Sequence, residues 1–257
     1  MATALQLAEF ADRLLGSRVI SDYPNAVNGL QVDTDQPVAA LAAAVDFSSR
    51  SVKGAIKAGA NLLIVHHGAF WGGAEPLTGA RYRTFRLLIE NSLGVYSSHL
   101  PLDCHPSLGN NVLLAETLGL KVGSSFGFHK GTAIGVAGDS KSSLSDLTAS
   151  ISSFAQAHSG RIHHTPAAAG RLVGRWAICT GAGADADTLR EARERKIETL
   201  IVGEGAHWTA VDAEENDIVI VYAGHYATET LGVQALAKTL AAEFKIPWHF
   251  IPTPTGT

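Results

Sequence analysis

The chain has 257 residues, 46% hydrophobic and 17% charged, an ordinary globular composition with room for one large core or two modest ones. A net charge of −4, with histidine neutral, argues against a general nucleic-acid binder, whose phosphate contacts need a basic surface. Two distant cysteines, Cys104 and Cys179, exclude a disulfide scaffold and a CxxC thiolate site and fit a reducing cytoplasm.

In chain order, Thr3 is placed to cap a first helix with Leu7, Phe10 and Leu14 on one face, ended by Gly16. This start is an amphipathic helix rather than a signal peptide, and no apolar run is long enough to span a bilayer. Val38 to Val45 is expected as a buried strand, Ser48 to Ala58 as a helix and Leu62 to Val65 as the next strand. A helix over Tyr82 to Ser92, with Phe85, Leu88 and Ile89 inward, leads to a strand over Gly94 to Ser98. Asn110 to Leu118 is expected to be helical. The glycine- and serine-rich Gly123 to Gly131 reads as a lobe boundary, which divides the chain into lobes 1–125 and 126–257. The second lobe offers a strand over Thr132 to Val136 and a helix over Leu144 to Ala157. Further strands are expected at Val173 to Cys179, Thr199 to Val202 and Ile218 to Tyr222. The alternation predicts an α/β fold of two interlinked lobes with largely parallel or mixed sheets.

Three segments carry metal-ligand chemistry: His66-His67-Gly68, His99-Leu100-Pro101-Leu102-Asp103, and His225-Tyr226-Ala227-Thr228-Glu229. Each follows a predicted strand, at the carboxyl end where open α/β sheets place their ligand crevices. Each alone reads as an ordinary loop or helix start; three together point to a site. Imidazole with carboxylate suits zinc, iron, manganese, nickel or cobalt. Adjacent side chains of extended backbone point opposite ways, so His66 and His67 are expected to reach two different ions. Cys104, beside Asp103, is a further soft donor or an oxidation liability.

These segments, with Asn28-Gly29-Leu30-Gln31-Val32, Ala44-Val45-Asp46-Phe47-Ser48, the AICTGAG run from Ala177 and the VGEGAH run from Val202, resemble the NIF-three-like family of dinuclear-metal proteins. Many of its members are labelled GTP cyclohydrolase I type 2 homologues. The resemblance implies two divalent metal ions per subunit held by His66, His67, Asp103, His225 and Glu229, the last returning from the second lobe to a shared site. His99 then falls to an outer position or to proton transfer as the catalytic residue. It also implies a ring-shaped homohexamer. The reaction class that follows is metal-dependent hydrolysis of an anionic small molecule, a nucleotide or another phosphorylated metabolite. The alternative is a non-catalytic metal-binding, metal-storage or regulatory protein. Neither Ser97 nor Ser98 sits in a strand–turn–helix elbow of the Gly-x-Ser-x-Gly type, so Ser98 is not expected to act as a nucleophile.

Overall fold

The structure, a computed structural model, describes residues 2–256. Thr3 caps α1 (Ala4–Leu15): its hydroxyl accepts from the Gln6 N–H, the Gln6 side chain accepts from the Thr3 N–H, and Gly16 closes the helix at φ 65°. There follow β1 (Gly29–Val32), β2 (Leu41–Asp46), α2 (Ser49–Lys57), β3 (Leu62–His67), α3 (Gly79–Glu90), β4 (Gly94–Ser97) and the single turn α4 (Leu100–Asp103). Next come α5 (Asn110–Thr117), β5 (Ser124–His129), β6 (Thr132–Ser143), α6 (Leu144–Ala157), β7 (His163–His164), β8 (Leu172–Cys179) and α7 (Ala186–Glu194). The chain ends through β9 (Thr199–Val202), α8 (His207–Glu215), β10 (Val219–Tyr222), the single turn α9 (His225–Thr228), α10 (Thr230–Phe244) and β11 (Trp248–Phe250). No helix among the described residues is long and apolar enough to cross a membrane.

These elements gather into two compact units. One holds the chain up to His105 together with Gly232–Thr253; the other holds Pro106–Leu231 and the last residues from Pro254. The first unit's sheet runs β1-β4-β3-β2-β11, parallel except at β1. Its central strands are buried on both faces, which explains their unbroken apolar runs. Ala42, Ala44, Leu63, Val65 and Val95 pack against Val52 and Ala55 of α2 and Phe85 and Leu88 of α3. From the opposite pleat Tyr96 reaches Asp12 of α1, and Phe10 of α1 meets Phe244 of α10 edge-on at 5.7 Å. Ile89, expected inward, is 74% exposed. The buried stripe of α3 is Thr84, Phe85 and Leu88, and Ile89 lies about 90° round from its centre at 3.6 residues per turn.

The second unit's sheet runs β5-β6-β8-β9-β10-β7, with β8, β9 and β10 mutually parallel and the other pairs antiparallel. Alternation sorts its side chains. Val136, Trp176, Ile178, Ile201, Val219 and Val221 face Leu114 of α5 and Leu147, Ile151 and Phe154 of α6. Ala137, Ala177, Cys179, Leu200, Val202, Ile220 and Tyr222 face Leu189 and Ala192 of α7 and Ala213 of α8. The glycine- and serine-rich Gly123–Gly131 stretch forms β5 and a hairpin turn. Lys130 and Gly131 both take positive φ, 47° and 83°, as a two-residue turn matched to strand twist requires. The fold is α/β, with two sheets of mixed strand orientation.

Candidate metal centre

Each unit presents its own donor set at strand carboxyl ends. In the first, parallel register places Asp46 of β2 opposite His67 of β3 and Val65 opposite Ser97 of β4. His66 Nδ1 lies 2.9 Å from the Ser98 carbonyl oxygen, His67 Nδ1 lies 2.9 Å from Asp46 Oδ1, and His99 Nδ1 lies 2.9 Å from Asp22 Oδ1. A carbonyl can only accept, so His66 carries its proton on Nδ1 and presents Nε2 as a lone pair. The carboxylates Asp46 and Asp22 favour the same tautomer at His67 and His99. Imidazole tied back through one nitrogen to an oxygen, with the other nitrogen left to bind, is the habitual arrangement of metal-ligating histidine. The ligand atoms of His66, His67 and His99 all lie within 4.8 Å of one another, and all three side chains are buried. The rings of His66 and His67 approach to 4.8 Å between centroids. They converge more than strict strand alternation implies, because β3 ends at His67 and the pleat is not continued beyond it.

Asp103, at the end of α4, brings Oδ2 to 3.4 Å from His66 Nε2. The α4 turn is anchored by Asp22, whose Oδ2 accepts from the Leu100 N–H at 2.9 Å and from the Asn28 amide at 2.8 Å. Asn28 in turn accepts from the His99 N–H. Gln31 braces the His66-His67-Gly68 turn: it accepts from the Ala69 N–H at 2.7 Å and fills the space where a Cβ on Gly68 would stand, 2.2 Å from its amide nitrogen. A side chain at position 68 would displace the Gln31 amide from these bonds.

In the second unit, Gly224 at φ 93° turns the chain out of β10 so that His225 opens α9. His225 Nδ1 lies 2.9 Å from Glu204 Oε1, beyond β9, and its Nε2 lies 3.2 Å from Glu229 Oε2. Gly181 explains the glycines after β8. A Cβ there would lie 2.1 Å from Glu229 Oε1 and 3.4 Å from His225 Nε2, so the absence of a side chain admits the carboxylate.

The donor chemistry fits divalent metal. Two ligand atoms each about 2.1 Å from one ion, at angles of 90–110°, stand about 2.9–3.4 Å apart. The His66–Asp103 and His225–Glu229 separations, 3.4 and 3.2 Å, fall in that range. The surrounding charges act as such a set should. Burial works to raise Asp22, but the bond and charge of His99, joined by bonds from the Asn28 amide and the Tyr23 N–H, together outweigh it and bring Asp22 down to about 2. Burial lowers His99 against the pull of Asp22. Burial would also lower His225, but Glu229 and Glu204 override it and hold the imidazole at about 9 in the metal-free chain. Burial, with Asp103 and Asp22 nearby, pushes the Cys104 thiol up to about 12, so it stays protonated in the metal-free chain. His163 and His164 are exposed on β7, and His207 is exposed at the start of α8.

Sequence reasoning assigned no role to Asp22, Asp46, Glu204 or Gln31, the last three standing only within the runs that carry the family resemblance. Asp46 and Glu204 carried one available signal: each lies at or just past the end of a strand adjacent to a ligand-bearing strand. Asp22, 77 positions from His99, carried none.

Residues 3–255 match the Duf34/NIF3 (NGG1p interacting factor 3) family. A Deinococcus radiodurans relative named GTP cyclohydrolase 1 type 2 homolog is 38% identical over 240 residues, covering 92% of this chain and 89% of its own length. A Pyrococcus abyssi relative of the same name is 36% identical over 254 residues, covering 98% of both. The solved structure of protein ybgI, described as of unknown function, matches with TM-score 0.88 at 30% identity over 99% of this chain and 100% of that one. The crystal structure of TTHA1606 from Thermus thermophilus matches with TM-score 0.79 at 28% identity over 98% of both chains. The chain therefore belongs to the Duf34/NIF3 family.

Proposed function

We propose that this protein is a metal-dependent hydrolase with a dinuclear centre, acting on a nucleotide or another phosphorylated small molecule. The observation that carries this reading is the common arrangement of four histidines, His66, His67, His99 and His225, each with Nδ1 held by an oxygen acceptor. Asp103 and Glu229 stand at ligand-to-ligand distance from two of them. We assign His66, His67, Asp103, His225 and Glu229 as the ligands of two divalent ions. His225 and Glu229 alone are two donors, too few to complete a coordination shell, which favours their serving ions that other residues also hold. The relatives' name, GTP cyclohydrolase 1 type 2 homolog, supports a nucleotide.

Bound divalent ions supply Lewis acidity and bring the pKa of water towards neutrality. The chain's own residues do the rest. Asp22 holds His99 in one tautomer, so that its Nε2 is the atom available to take a proton; we assign His99 proton transfer. Asp46, Glu204 and the Ser98 carbonyl keep the ligand nitrogens aimed. Ser98 contributes its backbone carbonyl, and its hydroxyl has no part in the chemistry. By family resemblance we take the assembly to be a closed homohexamer.

Metal analysis of fully loaded protein, followed by a substrate screen, tests the reading. We expect two equivalents of metal, reduced at both positions in Glu229→Gln. We expect turnover that a chelator abolishes, that a divalent ion restores, and that survives in Ser98→Ala and Cys104→Ala. A stoichiometry of one under saturating metal would overturn the dinuclear centre. Two equivalents with no turnover across nucleotides and phosphate esters would instead favour a metal-storage or regulatory protein.

A further inference from the structure

Two partly exposed aromatic rings stand against the histidines of the first unit. Trp71 is 37% exposed and Tyr23 48% exposed, whereas His67 and His99 are each 8% exposed. The Trp71 ring centroid lies 4.7 Å from that of His67 and 4.5 Å from that of His99. Tyr23 lies 5.9 Å from His99 and meets Trp71 edge-on at 6.4 Å. The two rings therefore form one aromatic corner next to the donor nitrogens.

The corner is held by the same groups that aim the donors. Tyr23 directly follows Asp22, and its N–H donates to the carboxylate oxygen that holds His99. Its carbonyl accepts from the Ala26 N–H, closing a tight turn. Trp71 lies in the turn after His67, its N–H donating to the Gly68 carbonyl at 3.2 Å, and Gln31 pins that turn at Ala69. Both rings are thus placed by the contacts that set the ligand geometry.

Exposed rings occur elsewhere, Tyr82 at 50%, Phe128 at 54% and Trp208 at 47%, so exposure alone does not mark the corner; its place against the rings of His67 and His99 does. A ring left in contact with water beside a polar cluster retains apolar surface that a planar ligand can cover, and aromatic faces stack on flat heteroaromatic rings. The donor cluster supplies the other half of the recognition, because histidine-held divalent ions take oxyanions. A molecule with a phosphate at the cluster and a planar ring a few bonds away satisfies both. We propose that Trp71 and Tyr23 form the subsite for the planar base of a nucleotide. This rests on the metal-centre reading above and adds to it where the base is held.

The test is titration calorimetry of metal-loaded protein with guanosine monophosphate and with ribose 5-phosphate, which share the sugar phosphate and differ in the base. The nucleotide should bind about 5- to 150-fold more tightly, the range that one stacked base supplies. In Trp71→Leu that advantage should collapse while ribose 5-phosphate binds as before, and Trp71→Phe should keep most of it. Trp208→Leu, at an exposed residue of α8, serves as a control and should change neither affinity. Equal binding of the two probes, binding of neither, or a base preference that survives Trp71→Leu would each overturn the proposal. So would dissociation of an oligomer in Trp71→Leu, which would place the ring in a contact between copies. A base preference without turnover would sustain the subsite and sink hydrolysis. Turnover of simple phosphate esters with no base preference would do the reverse.

Discussion

His67 and Asp46 meet across two neighbouring parallel strands, Nδ1 to Oδ1 at 2.9 Å, at the position where β2 and β3 end together. Removing the negative charge while keeping the shape should therefore act through the histidine. We expect Asp46→Asn to weaken metal binding by about 10- to 100-fold, the usual effect of losing an outer hydrogen-bond partner. The melting temperature of the metal-free protein should barely change, because the Asp46 side chain is 36% exposed. Calorimetric metal titration of the two proteins separates the effects; an unchanged affinity would remove Asp46 from the centre. A different residue governs the alkaline limit. Tyr96 is buried, and its hydroxyl donates to Asp12 at 2.9 Å. Burial, reinforced by the Asp12 charge, raises its phenol well above 10. The folded chain keeps a proton that the unfolded chain loses near pH 10, so this stability is whole below pH 10 and is lost as pH rises further. Tyr96→Phe should flatten the fall of the denaturation midpoint between about pH 9 and 11. Tyr222, also raised by burial, should retain the remainder of the slope. The candidate ligand residues could be proposed from the sequence because histidines and acids cluster locally within three short runs. The groups that aim them were not, because they come from separate strands and loops and are brought there only by sheet register.

Strand β5 shows the same limit in an element. Its residues, SSFGFH, are rich in the small polar and glycine types that mark loops, yet it pairs along β6 from Ser124 to His129. What the sequence hides is the partner on its other side. β5 is an edge strand, and its outward groups are answered by α7 and the residue that follows it. The Gly127 N–H donates to Glu191, and the Ser125 carbonyl accepts from Arg195 at 2.6 Å. Arg195 and Glu191 are themselves paired at 2.7 Å, and the Arg195 guanidinium lies 5.3 Å from the centre of the Phe126 ring. The pair thus occupies places that an added strand would use, and exposed Phe128 would otherwise make this edge adhesive. We expect Arg195→Ala to cost about 1–2 kcal/mol from its lost bonds and to promote self-association. Light scattering at increasing concentration should show it, and Arg195→Lys should restore only part of the protection, since one ammonium cannot span the fork of contacts. A variant that remains as dispersed as the parent would show that the edge is guarded by something else.

Alternating apolar runs and helical stripes were enough to read an α/β protein, because each strand buries its own side chains on a nearby helix. The return of the chain's last segment was not readable. β11 pairs in parallel with β2, some two hundred residues earlier, and a three-residue strand carries too little pattern to announce such a partner. If the proposed ligands hold metal, each ion should contribute to the stability of the fold that presents them. An ion present at 100 times its dissociation constant adds about 2.7 kcal/mol to the folded state. In a chain of this size each kcal/mol moves the melting temperature by about 2–4 °C. Exhaustive chelation should thus lower the melting temperature by about 5–10 °C for each ion lost. Restoring a divalent ion should recover the full shift in the parent and none of it at the affected position in His67→Ala. The protonation of His225 gives the effect a pH signature. The metal-free chain holds that imidazole at about 9, so binding at neutral pH must displace a proton, and the thermal shift at fixed metal should grow as pH rises from 7 towards 9. Scanning calorimetry across that range measures both quantities together. A melting temperature indifferent to chelator and to added metal would show that the histidine and carboxylate clusters are structural, and the hydrolase reading would fall with them.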